Sequence, residues 1–192
     1  MYISEFNIQQ LLDRLNYSMT KKEVLGLAKA FADEKLDLDL LISRSCCEDS
    51  ALAFHSAWVL ENILLLKDDA LDYYLPKIIE LLPRVKSPSV RRHFAKLIAI
   101  GVRRVVEKKA SKACERELWT TDLEPLEEVC FKWFVEESTR PAVKAHCLEI
   151  LYLLSTREKW IAEELPTIIE NQMAYGSPGL KAKGRAILKL LR

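Results

Sequence analysis

The sequence predicts an all-α fold, a right-handed α-α superhelix of about four to five stacked helical pairs, with residues 1–192 forming one domain. Three observations predict it. An apolar face with i, i+4, i+7, i+8 spacing, the signature of an amphipathic helix, recurs along the chain. It returns at a period near 38 residues, the length of a two-helix unit. The 5 glycines and 7 prolines among 192 residues leave little room for β-hairpin turns, and no segment alternates with a period of two, so no strands are predicted.

The repeat is plainest in two phrases, SPSVRRHFAKLI at 87–98 and SPGLKAKGRAIL at 177–188. Aligning on Val90 gives anchors at Leu52, Val90, Val143 and Leu180. Four residues on come Ser56, Phe94, Cys147 and Gly184, followed by the pairs Val59-Leu60, Leu97-Ile98, Ile150-Leu151 and Ile187-Leu188. The gap between the second and third anchors is longer, and the polar stretch 108–122 reads as an insertion between repeats. Each unit also has a partner helix: LDYYLPKIIELL at 71–82 and IAEELPTIIENQ at 161–172 share Leu-Pro-x-Ile-Ile-Glu.

Taken in order, helices are predicted near 4–16, 21–33, 37–45, 51–66, 70–84, 88–108, 122–137, 141–154, 157–175 and 178–191. Residues 1–48 form a less regular N-terminal cap. Thr20-x-x-Glu23 opens the second helix as a capping box and Thr121-x-x-Glu124 opens the seventh, while Ser50 caps the fourth. Ser87-Pro88 and Ser177-Pro178 place a cap residue before a proline at the first helical position. Pro76 and Pro166 each remove a backbone donor well inside a helix, so a bend or restart is expected there.

This two-helix unit, starting with Ser-Pro or Pro and followed by Val-Arg or Val-Lys, resembles HEAT and armadillo-type repeats over nearly the whole chain. The chain is also similar to a group of short bacterial helical proteins of its own length, often labelled adenylosuccinate lyase. That likeness runs through AWVLEN (57–62), CFKWF (130–134), PAVKAHCLEILYLLS (141–155), WIAEELPTII (160–169) and KAKGRAILK (181–189). The chain has no match to the S-S-x-M-P-x-K-x-N-P loop associated with that lyase, so the resemblance implies no catalytic residue.

Composition narrows the function classes. The share of hydrophobic residues, 49%, with 30% charged, is that of a soluble globular protein. The N-terminal MYISEFNIQQLLDRLN carries Glu5, Asp13 and Arg14, so neither a signal peptide nor a membrane span is read there, and a cytoplasmic location is expected. Cys46, Cys47, Cys114, Cys130 and Cys147 lack a C-x-x-C pair and are expected as reduced thiols, Cys147 as a buried hydrophobe. The net charge of +1 is distributed in blocks, with residues 81–114 holding 10 basic and 1 acidic side chains. Such blocks describe local charged surfaces and not a binder of polyanions overall.

No Gly-rich phosphate loop, H-E-x-x-H or G-x-S-x-G motif is present, so no enzyme activity, cofactor or metal is expected. His55, His93 and His146 each follow an anchor by three residues, with Lys183 in the fourth place. Neighbouring helices sit roughly 10 Å apart, and a zinc ligand must lie about 2 Å from its metal. These histidines are therefore read as polar residues at the seams between repeats. The acidic pairs Glu127-Glu128, Glu136-Glu137 and Glu163-Glu164 diverge by about 100° on a helix and are read as solvated faces.

The second helices of the units offer a different surface. Arg92, Lys96 and Arg103 project to one side of theirs, in a sector holding Phe54 and Trp58 one unit earlier and Glu149 one unit later, with Glu61, Tyr152 and Lys189 at its border. Positive charge is not continued along the array. The mixture of aromatic and charged residues suits a protein or peptide partner, with these nine residues as candidates for contact. The alternative is nucleic acid, bound by the basic block 84–112 as in the DNA alkylation repair glycosylases, whose HEAT-like architecture is similar. Trp58 either fills a seam or is exposed, and Trp119, Trp133 and Trp160 are expected in packing.

Overall fold

A computed structural model of the chain describes residues 4–32 and 38–191. Every regular element among them is helical: α1 (Ser4–Leu15), α2 (Lys21–Ala32), α3 (Asp39–Ser45), α4 (Ser50–Leu64), α5 (Asp68–Leu81), α6 (Pro88–Val106), α7 (Lys112–Thr120), α8 (Glu124–Val135), α9 (Pro141–Leu154), α10 (Lys159–Tyr175) and α11 (Pro178–Leu191), with a 3-10 turn at Leu82–Arg84. The ends of the helices predicted over 21–33 and 37–45 fall partly outside the described residues.

The four anchors prove equivalent in three dimensions. Leu52, Val90, Val143 and Leu180 are each the third residue of their helix, in α4, α6, α9 and α11. Those helices pack in that order, α4 on α6, α6 on α9 and α9 on α11. A second layer runs alongside, α5 packing on α6, α8 on α9 and α10 on α11, with α5 also against α8 and α8 against α10. The result is an α-α solenoid in which each unit covers the apolar face of the next. At the N-terminal end, α1, α2 and α3 all pack on α4.

The position four residues beyond each anchor is buried in all four units, although the residue there is Ser56, Phe94, Cys147 or Gly184. At Ser56 the hydroxyl has no hydrogen-bond partner. Removing an unsatisfied buried polar group recovers its desolvation cost, so Ser56→Ala should raise stability by about 1 kcal/mol in urea denaturation. At the crossing of α5 and α6, Gly101 lets the two helices approach: a Cβ there would lie 2.6 Å from Leu75 Cδ1, in a fully buried side chain. Gly101→Ala should therefore lose about 1–2 kcal/mol by the same measurement, overpacking exceeding the gain in helix propensity.

Several local expectations change. No restart occurs at Pro76 or Pro166, because α5 and α10 each continue through their proline. The cap of α4 is Asp49 and not Ser50: the Asp49 carboxylate accepts from the amides of Ala51 and Leu52, both at 2.9 Å. Asp lies one residue earlier and reaches the first free amides. The Thr20–Glu23 capping box forms, with Glu23 Oε2 2.7 Å from the Thr20 amide and the Glu23 amide donating to Thr20 Oγ1. The corresponding box at Thr121 does not form, because Thr121 ends α7 and donates its hydroxyl to the Glu117 carbonyl; Asp122 accepts the Glu124 amide instead.

The larger correction lies in the stretch 108–122, where the sequence pattern predicts no separate helix. It contains α7, which packs on α5 and buries Cys114 and Leu118. A left-handed turn at Lys108 (φ 57°) ends α6, its carbonyls capped by amides of the turn, as in a Schellman motif. Asp72 of α5 then holds the segment leading into α7: one carboxylate oxygen accepts from Arg104 Nε at 3.2 Å, the other from the Ser111 amide at 2.7 Å. Ser111 in turn caps α7.

Candidate functional site

The second helices carry alternating charges, and the solenoid brings them into register. Glu61 on α4 is buried; its carboxylate accepts from His93 Nδ1 at 2.6 Å and Lys96 Nζ at 2.7 Å, both on α6. Further along α6, Arg103 pairs with Glu149 of α9, and the same carboxylate pairs with Lys183 of α11. Acid and base thus alternate across four helices. Each link crosses a seam between units, so the ladder fixes how neighbouring repeats sit on one another.

Hydrogen-bond geometry fixes the state of one imidazole. Arg92 Nη2 stands 3.2 Å from His93 Nε2. A guanidinium can only donate, so Nε2 accepts and Nδ1 carries the proton given to Glu61. Burial would raise the Glu61 carboxyl, but the hydrogen bonds from His93 and Lys96 outweigh it and hold the group below its ordinary value.

The three histidines that share one repeat position have three environments. His55 Nδ1 donates to the Leu15 carbonyl at 2.8 Å, tying the end of α1 to α4. His93 serves Glu61. His146 Nδ1 has no partner, and burial, with Lys183 and Lys96 nearby, lowers its pKa to about 4, so the ring is neutral at physiological pH. Among the described residues no group of three or more His, Cys, Asp or Glu side chains is placed to hold a metal ion.

The nine sequence candidates separate under this geometry. Glu61, Lys96, Arg103 and Glu149 are brought together, but mostly on one another: the two carboxylates are buried in the seams and take up much of the charge of the two cations. Phe54 and Trp58 also meet, their rings stacked with centroids 5.4 Å apart and planes at 27°. Phe54 also lies 5.6 Å from the ring of His93, whose Nε2 meets Arg92. Both aromatics are half-buried, so Trp58 is neither wholly seam nor wholly surface. Tyr152 is half-buried and Lys189 exposed, and neither makes a hydrogen bond or ion pair with another candidate. Sequence reasoning left out His93 and Lys183 as members of the ladder; their shared place three residues after an anchor was the available signal.

Of the tryptophans expected in packing, Trp133 is buried, with Arg91 4.5 Å over its ring, Trp119 is half-buried beneath Arg157, and Trp160 packs on Phe131 with 47% of its surface still exposed. Glu127, expected on a solvated face, is 8% exposed, because α8 turns this residue toward the junction with α7 and the start of α10. The five cysteines are free thiols; Cys130 and Cys147 are buried together, and burial together with the Cys147 contact pushes the Cys130 thiol well up, which makes it a poor nucleophile.

No helix among the described residues is long and apolar enough to cross a membrane. No curated protein and no solved structure shows a significant match to the chain. A family model described as a HEAT repeat domain matches residues 11–191. With its two-layer array of helical pairs and their equivalent anchors, this chain belongs to the HEAT repeat family.

Proposed function

We propose that the chain is a non-catalytic binding or scaffold module that recognises a protein or peptide partner through the face of its second helices. One observation carries the reading. Phe54 and Trp58 form a stacked, half-buried aromatic pair, with Phe54 against the His93 ring that Arg92 and Glu61 engage, at a seam clamped by Glu61, His93 and Lys96. Aromatic and arginine side chains held in place are the usual anchors of protein recognition. Little of the ordering entropy that normally opposes binding remains to be lost there. Tyr152, Lys189 and the outer parts of Lys96 and Arg103 extend the surface along α9, α11 and α6.

The alternative of nucleic acid draws on the basic block. Affinity for a phosphate backbone depends on how many phosphates are neutralised together, and the pairing of Lys96 with Glu61 and Arg103 with Glu149 diminishes the charge available for it. A protein partner is favoured on that ground.

The test is co-purification from native lysate on immobilised protein. A defined partner should be recovered by the wild type and lost with Trp58→Ala and with Arg92→Glu, each variant first shown to be helical by circular dichroism. Unchanged recovery with both variants rejects this face. Titration with a DNA duplex at low salt tests the alternative, which requires affinity that falls steeply as salt rises.

A further inference from the structure

Away from the second-helix face, Glu127 poses a problem. This residue is 8% exposed, yet no hydrogen bond or salt bridge to the described residues meets its carboxylate. Burial, then the like charges of Glu158, Glu124 and Asp122, push its carboxyl above the ordinary range. A place in the first turn of α8 favours an acid through the helix dipole, but that explains an exposed carboxylate such as Glu124 equally well and does not call for burial. The side chain is largely desolvated, but its oxygens are not sealed from solvent, so a cation entering beside them would offset the cost of that desolvation.

The surroundings specify what kind of cation. Glu127 lines a cavity of about 550 Å³ together with Trp119, Asp122, Glu124, Arg157, Glu158 and Trp160. Four carboxylates therefore face one guanidinium. That guanidinium lies 4.4 Å above the Trp119 ring and makes no salt bridge with Glu127. Asp122 is engaged with the Glu124 amide at 3.0 Å. Trp160, packed against Phe131 at 5.4 Å, leaves nearly half of its surface open. The carboxylates are not grouped to coordinate a metal ion. A largely buried side chain whose carboxylate still reaches solvent, in the same cavity as an open indole, instead suits an organic cation with an apolar stem, because indole attracts both a cation and methylenes.

We propose that this cavity binds an alkylammonium group, with the nitrogen paired to Glu127 and the methylenes laid against Trp160. A free polyamine and the lysine side chain of another protein both present this chemistry. The site is built from α7, the start of α8 and the connection from α9 to α10. It is thus independent of the second-helix face, and Trp58→Ala and Arg92→Glu leave it intact.

The experiment is calorimetric titration of the whole chain at low ionic strength with three probes: 1,5-diaminopentane, an end-blocked Gly-Lys-Gly peptide, and the same peptide with norleucine in place of lysine. At least one cationic probe should saturate with a Kd of about 1 mM or tighter, and the norleucine peptide should not bind. The tighter of the two cations identifies the source. Glu127→Gln should weaken that binding at least about tenfold while raising the melting temperature, because it removes a partly desolvated charge that stands among like charges. Trp160→Ala should also weaken it. Equal binding by the wild type and Glu127→Gln, or no saturation by either cation, overturns the proposal.

Discussion

Glu61→Ala should lower the free energy of unfolding by about 3 kcal/mol, the low end for breaking a buried ion pair. The reason lies in what it abandons. The fully buried His93 loses the acceptor for its Nδ1 proton, and the ammonium of Lys96 loses its counter-ion at the seam of α4 and α6. Glu61→Gln should cost less, about 1–2 kcal/mol, because the amide oxygen still accepts one hydrogen bond. Guanidinium denaturation at neutral pH measures both. The dependence on pH provides a check of sign. The folded-state pKa of Glu61 is held below the unfolded value of 4.5, so its contribution is complete above 4.5 and is lost as pH falls through the folded value. The gap between the wild type and Glu61→Gln should therefore close on acidification. A gap that stays constant down to the acid transition would show that packing, and not charge, sets the effect.

Phe94→Ala should cost about 3–5 kcal/mol, the range for emptying a buried phenyl site. Phe94 is completely buried on α6, which packs on α4, α5 and α9 at once. The position is equivalent to Ser56, Cys147 and Gly184, but only this unit fills it with an aromatic ring. A cavity in the middle of the array weakens the seams on both sides of it, and a solenoid transmits stability from neighbour to neighbour. Urea unfolding of the variant, monitored by circular dichroism, should show the loss. Phe94→Leu should recover most of it, remaining within about 1.5 kcal/mol of the wild type. A loss under about 1 kcal/mol for the alanine variant would mean that the seam collapses around the space, and that α6 is not the rigid centre of the array.

These two sites show different degrees of legibility in the sequence. The burial of Phe94 follows from its spacing after Val90, since helical periodicity is a local property of the chain. The same spacing places Glu61 on the border of the second-helix face, but its engagement with His93 and Lys96 is not readable there. That pairing depends on the offset and crossing of α4 against α6, which spacing within one helix does not specify. Helix α7 is hidden in the sequence because its buried face holds only Cys114 and Leu118 in a polar stretch, too few apolar positions to stand out. Its anchor is Asp72, which lies 39 residues before Ser111 in the chain.

The linear order of residues was enough to establish a helical array, its anchors at Leu52, Val90, Val143 and Leu180, and the membership of each second helix, because all three rest on contacts repeated at short range. Which charges neutralise one another, how much of Trp58 and Trp160 meets solvent, and why Glu127 is buried without a partner depended on how whole helices lie against each other. Side chains far apart along the chain meet there at angles and separations that no single helix encodes, and electrostatic and burial energies are set by those distances.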